Sequence, residues 1–200
     1  MSLERGAPAG ELILASASPR RRQLLDMLGL PYRVIAPELD ESYRSDEAPE
    51  AYVVRLARAK AAAVAVRWPT ELVLAADTTV VLEEEIFGKP RSAEEAVAML
   101  RRLQGKTHRV LTAVAIAAGE RLEHALDVTA VTFRPLSEAA IADYVATGEP
   151  LDKAGAYAVQ GAGAALVERI EWDFFGVMGL PVRLVLALLE RFGRPYRFTR

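Results

Sequence analysis

Residues 107–133 carry the pattern that most restricts the fold of this chain. Their sequence, THRVLTAVAIAAGERLEHALDVTAVTF, is rich in apolar and β-branched residues and breaks only at Gly119 and Glu120. This pattern predicts two long strands joined by a tight turn. Such a hairpin makes at least part of the sheet antiparallel.

Shorter strand and helix signals alternate along the rest of the chain. Strands are predicted at Leu12–Ala15 and Tyr32–Ile35, from Leu72 into a second hairpin around Glu83–Glu85, and through Val167. Helices are predicted from Pro19 to Gly29 and at 49–66, 92–105, 137–147 and 181–192. Because the strands of the first half could be parallel, the fold class is α/β with a mixed sheet and flanking helices. No repeat or linker marks a boundary, so one domain is expected over residues 1–200.

Composition excludes several classes of protein. The 200 residues are 52% hydrophobic and carry a formal net charge of −2, which is typical of a globular protein and gives no reason to expect nucleic-acid binding. No cysteine is present, so disulfides and thiolate metal sites are excluded. The first eleven residues lack a signal-peptide core, and no run approaches the roughly 18 apolar residues that span a bilayer. We therefore expect a cytoplasmic protein with no membrane partner.

An arginine cluster follows the first predicted strand. Arg20, Arg21 and Arg22 occupy the first turn of a helix that Ser18 can cap, and Ser16 lies just before it. A cation is unfavourable at the positive end of a helix, whereas an anion is favourable there. Strand, tight turn and helix start together present backbone N–H groups to an anion. The alternative is a surface helix with solvated arginines.

Two further segments place charged residues beside apolar strands. Asp77 follows the apolar run Leu72–Ala76, and a parallel strand would end there and deliver it to the carboxyl edge of the sheet, where ligands bind in α/β folds. Its carboxylate could bind Mg²⁺ or accept a proton from water, or it could be a turn residue. Lys89 lies between Gly88 and Pro90, on stiff backbone, although a single lysine is more often solvated.

The segment TGEPLDKAGAYAVQGAG, residues 147–163, is rich in glycine, which lets a backbone approach a ligand closely. It groups Asp152, Lys153 and Gln160, and it matches neither the P-loop nor the dinucleotide-binding pattern. A flexible surface loop is the alternative, but the apolar residues within the segment favour an ordered one.

In order and spacing, these segments resemble the Maf family of nucleoside triphosphate pyrophosphatases. The motifs are LASASPRR, AADTTVV, GKP, GKTHRVLTAV, YVATGEPLDKAGAYAVQGAGA and VMGLP. The resemblance covers residues 12–192 and leaves 1–11 and 193–200 as tails. ADT together with DKAGAY and the following QG resembles the branch of the family that acts on dTTP and UTP.

The resemblance implies a fold, a reaction and partners. It implies two lobes around a cleft, as in the related inosine triphosphate pyrophosphatases, and hydrolysis of dTTP and UTP to the monophosphate and pyrophosphate. It further implies a nucleotide-pool housecleaning role that could include modified pyrimidine nucleotides, a divalent metal cation (Mg²⁺ or Mn²⁺) and a possible homodimer. The alternatives are the neighbouring branch, which acts on 7-methyl-GTP, and a non-enzymatic nucleotide-binding regulator of septum formation.

The resemblance also implies roles for individual residues. Asp77 matches the proton acceptor of the family, and Lys89 matches the lysine of its phosphate site. Arg20, Thr78 and Gln160 match positions that select the substrate. Glu41 is the best match to an acidic active-site residue that would hold the metal together with Asp77, and Glu38 and Asp40 are near alternatives.

The chemistry of these residue types agrees with those roles. Cationic side chains stabilise the charge that moves to the leaving pyrophosphate, and Arg21 and Arg22 are the expected phosphate contacts beside Ser16 and Ser18. Gln160 offers both an amide donor and a carbonyl acceptor, which matches the N3–H and O4 of uracil and thymine. Cytosine reverses that pattern and would leave polar groups unpaired.

Three residues lie in motifs but receive no role. Ala158 stands where the family usually has glycine, which matters only if the position needs a positive φ. Trp172 could line the base pocket, but we expect it to cover the sheet. His108 lies within GKTH near the expected site.

Overall fold

The structure is a computed structural model that describes residues 11–44 and 46–198. The predicted tail therefore lies outside the described residues over positions 1–10. Within the described ranges, no helix combines the length and apolar character needed to cross a bilayer.

The described part of the chain contains seven strands and six α-helices. The strands are β1 (Leu12–Leu14), β2 (Tyr32–Val34), β3 (Leu72–Leu82), β4 (Glu85–Phe87), β5 (Thr107–Ala118), β6 (Arg121–Phe133) and β7 (Val167–Glu171). The helices are α1 (Pro19–Met27), α2 (Pro49–Ala65), α3 (Ala93–Leu103), α4 (Glu138–Ala146), α5 (Phe174–Met178) and α6 (Val182–Arg191). Three short 3₁₀ turns lie between α4 and β7, at Glu149–Asp152, Ala154–Ala156 and Ala162–Leu166.

All seven strands belong to one mixed sheet. The order is β2-β1-β3-β5-β6-β7, and β4 pairs with β3 outside that path. β1 lies parallel to β2 and β3, whereas β3, β5, β6 and β7 pair antiparallel. β5 is central and buried on both faces, which explains its nearly continuous apolar sequence. The predicted mixed sheet and long hairpin are confirmed.

Alternate residues of β3 pack against different helices. Val73 contacts the apolar face of α2 on one side of the sheet, and Leu74 belongs to the core under α1 and α6 on the other. Farther along that second side, Val80 belongs to a separate apolar cluster under α3 and α4. These two clusters form two lobes with a cleft between them, as expected.

The predicted placement of Asp77 at the end of its strand is wrong. β3 continues to Leu82, and Asp77 pairs with Ala113 of β5. The cause is that antiparallel β5 keeps its hydrogen bonds to β3 beyond the point where parallel β1 stops, at Leu14. The open edge beside Asp77 is therefore made by the end of β1, and Asp77 is not a turn residue.

Candidate active site

A cleft of about 530 Å³ opens where β1 ends, between the two lobes. Successive residues of a strand point to opposite faces, so Asp77 points toward α2 and Thr78 toward α1. Both nevertheless line the cleft, because it wraps around the end of β1. All the candidate residues line it: Ser16, Ser18, Arg20, Arg21, Glu41, Asp77, Thr78, Lys89 and Gln160. Their roles remain predictions.

Arg21 is held by three hydrogen bonds at the first turn of α1. Its Nε donates to Gly179 O (2.8 Å), Nη1 to Ser16 Oγ (2.9 Å) and Nη2 to Thr78 Oγ1 (3.3 Å). Burial lowers the pKa of Arg21, while the nearby Asp77 carboxylate opposes that change. Arg21 is thus a fixed charge that orients two hydroxyls. Its hydrogen bonds restrict its movement toward a phosphate, although its position in the sequence predicts a phosphate contact.

The backbone that receives Arg21 comes from α5, a helix that the sequence analysis did not predict. The helix has only five residues, too few for a periodic pattern. Its start is fixed by the Asp173 carboxylate, which accepts a hydrogen bond from Gly176 N at 2.9 Å. At its end, Gly179 adopts a φ of 108° and supplies the carbonyl that Arg21 contacts.

The other residues of the arginine cluster differ in position. Arg20 is half-buried, and its Nη1 lies 3.9 Å from the Asp152 carboxylate across the cleft. Arg22 is exposed and is not one of the residues that line the cleft, so its expected phosphate contact is not supported and a solvated arginine is the better interpretation. Ser18 occupies the N-cap without a side-chain capping bond, and its backbone N donates to Ser16 Oγ.

Lys60 joins the two candidate carboxylates. Its Nζ lies 2.7 Å from Asp77 Oδ1 and 2.8 Å from Glu41 Oε1. Asp77 and Lys60 are buried, whereas the Glu41 carboxylate faces solvent at the cleft. Burial raises the pKa of Asp77, and the charges of Lys60 and Arg21 oppose that rise. The second Asp77 oxygen receives no hydrogen bond from the residues that the structure describes, so it is available to a ligand.

Sequence analysis missed Lys60, although a signal was present. Lys60 follows Val53 and Leu56 and precedes Val64 at helical spacing, and all four lie on the buried stripe of α2. A lysine on such a stripe is rarely buried without a partner. That position could have identified a buried carboxylate partner.

The segment after β2 favours Glu41 over its neighbours. Glu41 lines the cleft, and its backbone carbonyl accepts a hydrogen bond from the Tyr52 hydroxyl at 3.0 Å. Glu38 lies instead beside a separate depression near Arg67. The Asp40 carboxylate accepts from Ser42 N at 2.9 Å, which closes a local turn.

The opposite wall of the cleft is built from the glycine-rich segment 148–163. Gly155 N donates to Gly88 O at 3.1 Å, which ties this wall to the backbone beside the exposed Lys89. Gly155 has a φ of 70°, and a Cβ there would lie 2.8 Å from the Val80 side chain. The exposed Gln160 lines this wall. The segment is ordered, as expected.

His108 supports this wall from beneath rather than lining the cleft. Its Nε2 and the Tyr157 hydroxyl are 2.8 Å apart, and Tyr157 also packs edge-on against Phe133. Nδ1 is buried and has no hydrogen-bond partner within the described residues. Burial lowers the pKa of His108 to about 4, so the imidazole is neutral at pH 7.

The two departures from the family pattern differ in position, since Ala158 lines the cleft and Trp172 does not. Ala158 does not adopt a positive φ, so its side chain is tolerated there. Trp172 is 74% exposed with a φ of 117° and does not line the cleft. It therefore neither forms the base pocket nor covers the sheet, and the Arg183 guanidinium lies 5.1 Å from the centre of its ring.

Curated proteins are similar to this chain over most of its length. A dTTP/UTP pyrophosphatase of Myxococcus xanthus is 55% identical over 184 residues, which are 92% of this chain and 93% of that protein. One of Symbiobacterium thermophilum is 49% identical over 185 residues, 92% of this chain and 95% of that protein.

Among solved structures, the Staphylococcus aureus Ham1 protein aligns with 91% of this chain and 97% of its own, with a TM-score of 0.47 and 14% identity. That likeness is too distant to support a conclusion. The family model described as Maf-like protein matches residues 11–192, which confirms the resemblance carried by the motifs. The chain belongs to the Maf-like protein family.

Proposed function

We propose that this protein hydrolyses dTTP and UTP between the α and β phosphates, giving the monophosphate and pyrophosphate. The observation that carries the proposal is the Lys60-bridged pair of Asp77 and Glu41 in a cleft lined with cationic side chains. Relatives at 55% and 49% identity bear the name dTTP/UTP pyrophosphatase, which supports the same substrates here. The activity would serve nucleotide-pool housecleaning in the cytoplasm and could extend to modified pyrimidine nucleotides.

In this proposal, Asp77 is the general base. Water is a poor nucleophile at neutral pH, and a positioned carboxylate accelerates its attack by accepting the proton. Burial raises the pKa of Asp77, which makes it a stronger base than an exposed aspartate. Its hydrogen bond to Lys60 fixes one oxygen, so the second oxygen can accept the proton.

The cationic residues stabilise the charge that develops on the leaving pyrophosphate. Lys89 is exposed at the cleft, and Arg20 has a long contact of 3.9 Å to the Asp152 carboxylate, so both can turn toward phosphate oxygens. Arg21 acts differently, because three of its N–H groups already donate to Ser16, Thr78 and Gly179 and fix its position. It contributes a fixed positive charge that acts before and during the reaction.

The residues present fit a divalent cation, Mg²⁺ or Mn²⁺, held jointly with the substrate. Asp77 and Glu41 converge on one cationic group, the Lys60 ammonium, and Mg²⁺ is commonly bound by one or two carboxylates plus phosphate oxygens. Within residues 11–44 and 46–198, no three His, Asp or Glu side chains form a ready-made metal site. When bound, the metal would lower the pKa of the attacking water and neutralise phosphate charge.

Gln160 is proposed to recognise the base. Its side chain lines the cleft on the wall opposite α1, and its amide can donate to O4 and accept from N3–H of uracil or thymine. Thr78 and Arg20 are the other residues proposed to select the substrate.

A nucleotide panel tests the proposal. With Mg²⁺ or Mn²⁺ present, the purified protein should release pyrophosphate from dTTP and UTP faster than from ATP, GTP, CTP or 7-methyl-GTP. A panel in which ATP or 7-methyl-GTP is the best substrate would contradict it, and no turnover of any nucleotide would favour a binding role. Light scattering of the same sample checks the predicted homodimer.

A further inference from the structure

The carboxylate of Glu149 holds the glycine-rich wall of the cleft at one end. It accepts hydrogen bonds from Ala162 N (2.9 Å), Gly163 N (3.0 Å) and the Tyr144 hydroxyl (2.9 Å). Burial raises the pKa of Glu149, but these three bonds outweigh that effect and leave it below its ordinary value. Glu149 is therefore an ionised acceptor for two backbone donors.

The backbone fits around this carboxylate with no room for side chains. A Cβ on Gly161 would lie 2.2 Å from Glu149 Oε2, and a Cβ on Gly163 would lie 2.6 Å from the Tyr144 hydroxyl oxygen. The two glycines let the chain approach so closely that both amides reach the carboxylate. This part of the QGAG motif serves the contact with Glu149.

Tyr144 supports the backbone on the N-terminal side of Gln160, whereas the Glu149 contacts lie on its C-terminal side. Its hydroxyl oxygen accepts a hydrogen bond from Ala158 N at 3.2 Å while its proton goes to Glu149. The backbone amides of Ala158, Ala162 and Gly163 are thus held by one pair of side chains. Both side chains are anchored at the end of α4, where Glu149 N donates to Thr147 Oγ1.

Gln160 itself has no comparable support. Its side chain is exposed and makes no hydrogen bond to any residue that the structure describes. Its position in the cleft consequently depends on the backbone on either side, which Glu149 and Tyr144 fix.

We infer that Glu149 is a positioning residue for base selection, acting through Gln160. The inference rests on the proposed function, since it assigns to Glu149 the geometry by which the pyrimidine is recognised. Glu149 does not line the cleft, so it touches neither the phosphates nor the base.

A double-mutant cycle tests this inference. Glu149→Ala should lower the ratio of kcat/KM for UTP to that for CTP by about 5- to 150-fold, the range expected for one mispaired polar contact. Gln160→Ala should lower it similarly. Because both act through one contact, the double variant should match Gln160→Ala within about twofold. A Glu149→Ala variant that slows all nucleotides equally, or whose effect multiplies with that of Gln160→Ala, would overturn the inference.

A second measurement needs no turnover. Hydrogen exchange at the amides of Ala162 and Gly163 should accelerate in Glu149→Ala and stay unchanged in Glu138→Ala, a control in which a surface carboxylate bound by Arg101 is removed. Unchanged protection in Glu149→Ala would contradict the contact itself. If the nucleotide panel shows that pyrimidine nucleotides are not the substrates, the proposed function fails. The positioning role still stands if Glu149→Ala accelerates the exchange and its effect stays coupled to that of Gln160→Ala on the actual substrate.

A conservative variant covers the case in which Glu149→Ala does not fold. In the wild type the two backbone amides bind different carboxylate oxygens, so Glu149→Gln keeps an acceptor for one of them and presents an NH₂ group to the other. It should lower the UTP/CTP ratio measurably, but less than Gln160→Ala does. A folded Glu149→Gln protein with the wild-type ratio and wild-type protection would also overturn the inference.

Discussion

Two buried titratable side chains, Asp77 on one side of the cleft and His108 beneath the other, lie in contrasting surroundings. Both are less than 10% exposed, and burial moves both pKa values toward the neutral form, upward for Asp77 and downward for His108. Asp77 has the ammonium of Lys60 at 2.7 Å and an open face toward the cleft. Among the described residues, His108 is hydrogen-bonded to the Tyr157 hydroxyl and packs edge-on against the Phe133 and Tyr157 rings.

The difference separates a reactive charge from a structural support. A buried charge persists only where an opposite charge or several hydrogen bonds offset its lost hydration. Lys60 and Arg21 provide that around Asp77, whereas no residue that the structure describes does so around His108. The β1–β3 side of the cleft therefore carries the proposed chemistry, and the side above His108 carries the proposed base recognition.

The largest effect is expected from loss of the proposed general base, Asp77. Asp77→Asn keeps the shape of the side chain but cannot accept the proton, so kcat should fall by about 10²- to 10⁴-fold. Stopped-time pyrophosphate assays measure kcat, and circular dichroism with nucleotide titration checks that folding and binding persist. A folded variant that retains more than about a tenth of wild-type kcat would make Asp77 structural.

Removing the cation from the same cluster should cost stability as well as activity. Lys60→Met leaves the buried Asp77 carboxylate without its hydrogen-bonded partner, and the free energy of unfolding should fall by about 3 kcal/mol. Urea denaturation measures that loss. The double variant Lys60→Met, Asp77→Asn should recover part of it, because the buried carboxylate is no longer left without its cation. Equal or greater loss in the double variant would show that Lys60 acts through packing alone.

His108 predicts a pH dependence of stability. Its pKa is about 4 in the folded protein against roughly 6.5 when unfolded, so the unfolded chain takes up the proton first. The associated stability is present above pH 6.5 and is lost as the pH falls toward 4, a change of about 3 kcal/mol.

Urea denaturation between pH 7 and 4 measures this contribution when wild type is compared with two histidine variants. His108→Gln should flatten the dependence relative to wild type, and His124→Gln, which removes the exposed histidine, should leave it unchanged. Parallel curves for wild type and His108→Gln would contradict neutral burial of His108.

The smallest expected effect is on base selection. Gln160→Glu replaces the amide donor with an acceptor facing O4, so kcat/KM for dTTP and UTP should fall by about 5- to 150-fold. CTP, whose N4 amine is a donor, should be unaffected or improved. Arg21→Ala should instead depress all three nucleotides together, because every substrate carries the same triphosphate and loses the same fixed positive charge. A uniform loss for Gln160→Glu would move base recognition to another residue.

Local sequence patterns were sufficient for most elements. The β5–β6 hairpin and the ends of two helices at Gly29 and Gly105 depend on neighbours within a few residues, and the structure contains each of them. The candidate residues were also found to share a cleft, which their order in the family motifs implied.

What the sequence could not supply were contacts between distant segments. The bond from Arg21 to Gly179 spans 158 residues and depends on a five-residue helix. Asp77 was misplaced because the apolar run Leu72–Ala76 does not reveal that β5 extends the ladder beyond it. The Glu149 contacts run through irregular backbone, where no periodic pattern exists to reveal them.

The most direct test of this division uses one variant from each side of the cleft and measures each with a uracil and a cytosine nucleotide. The measurement is kcat/KM for UTP and CTP in wild type, Asp77→Asn and Gln160→Glu under one metal condition. We expect Asp77→Asn to lower both values by the same factor and to keep the UTP/CTP ratio. Gln160→Glu should lower the ratio while CTP turnover is retained. A changed ratio in Asp77→Asn, or an equal loss on both nucleotides in Gln160→Glu, would contradict it.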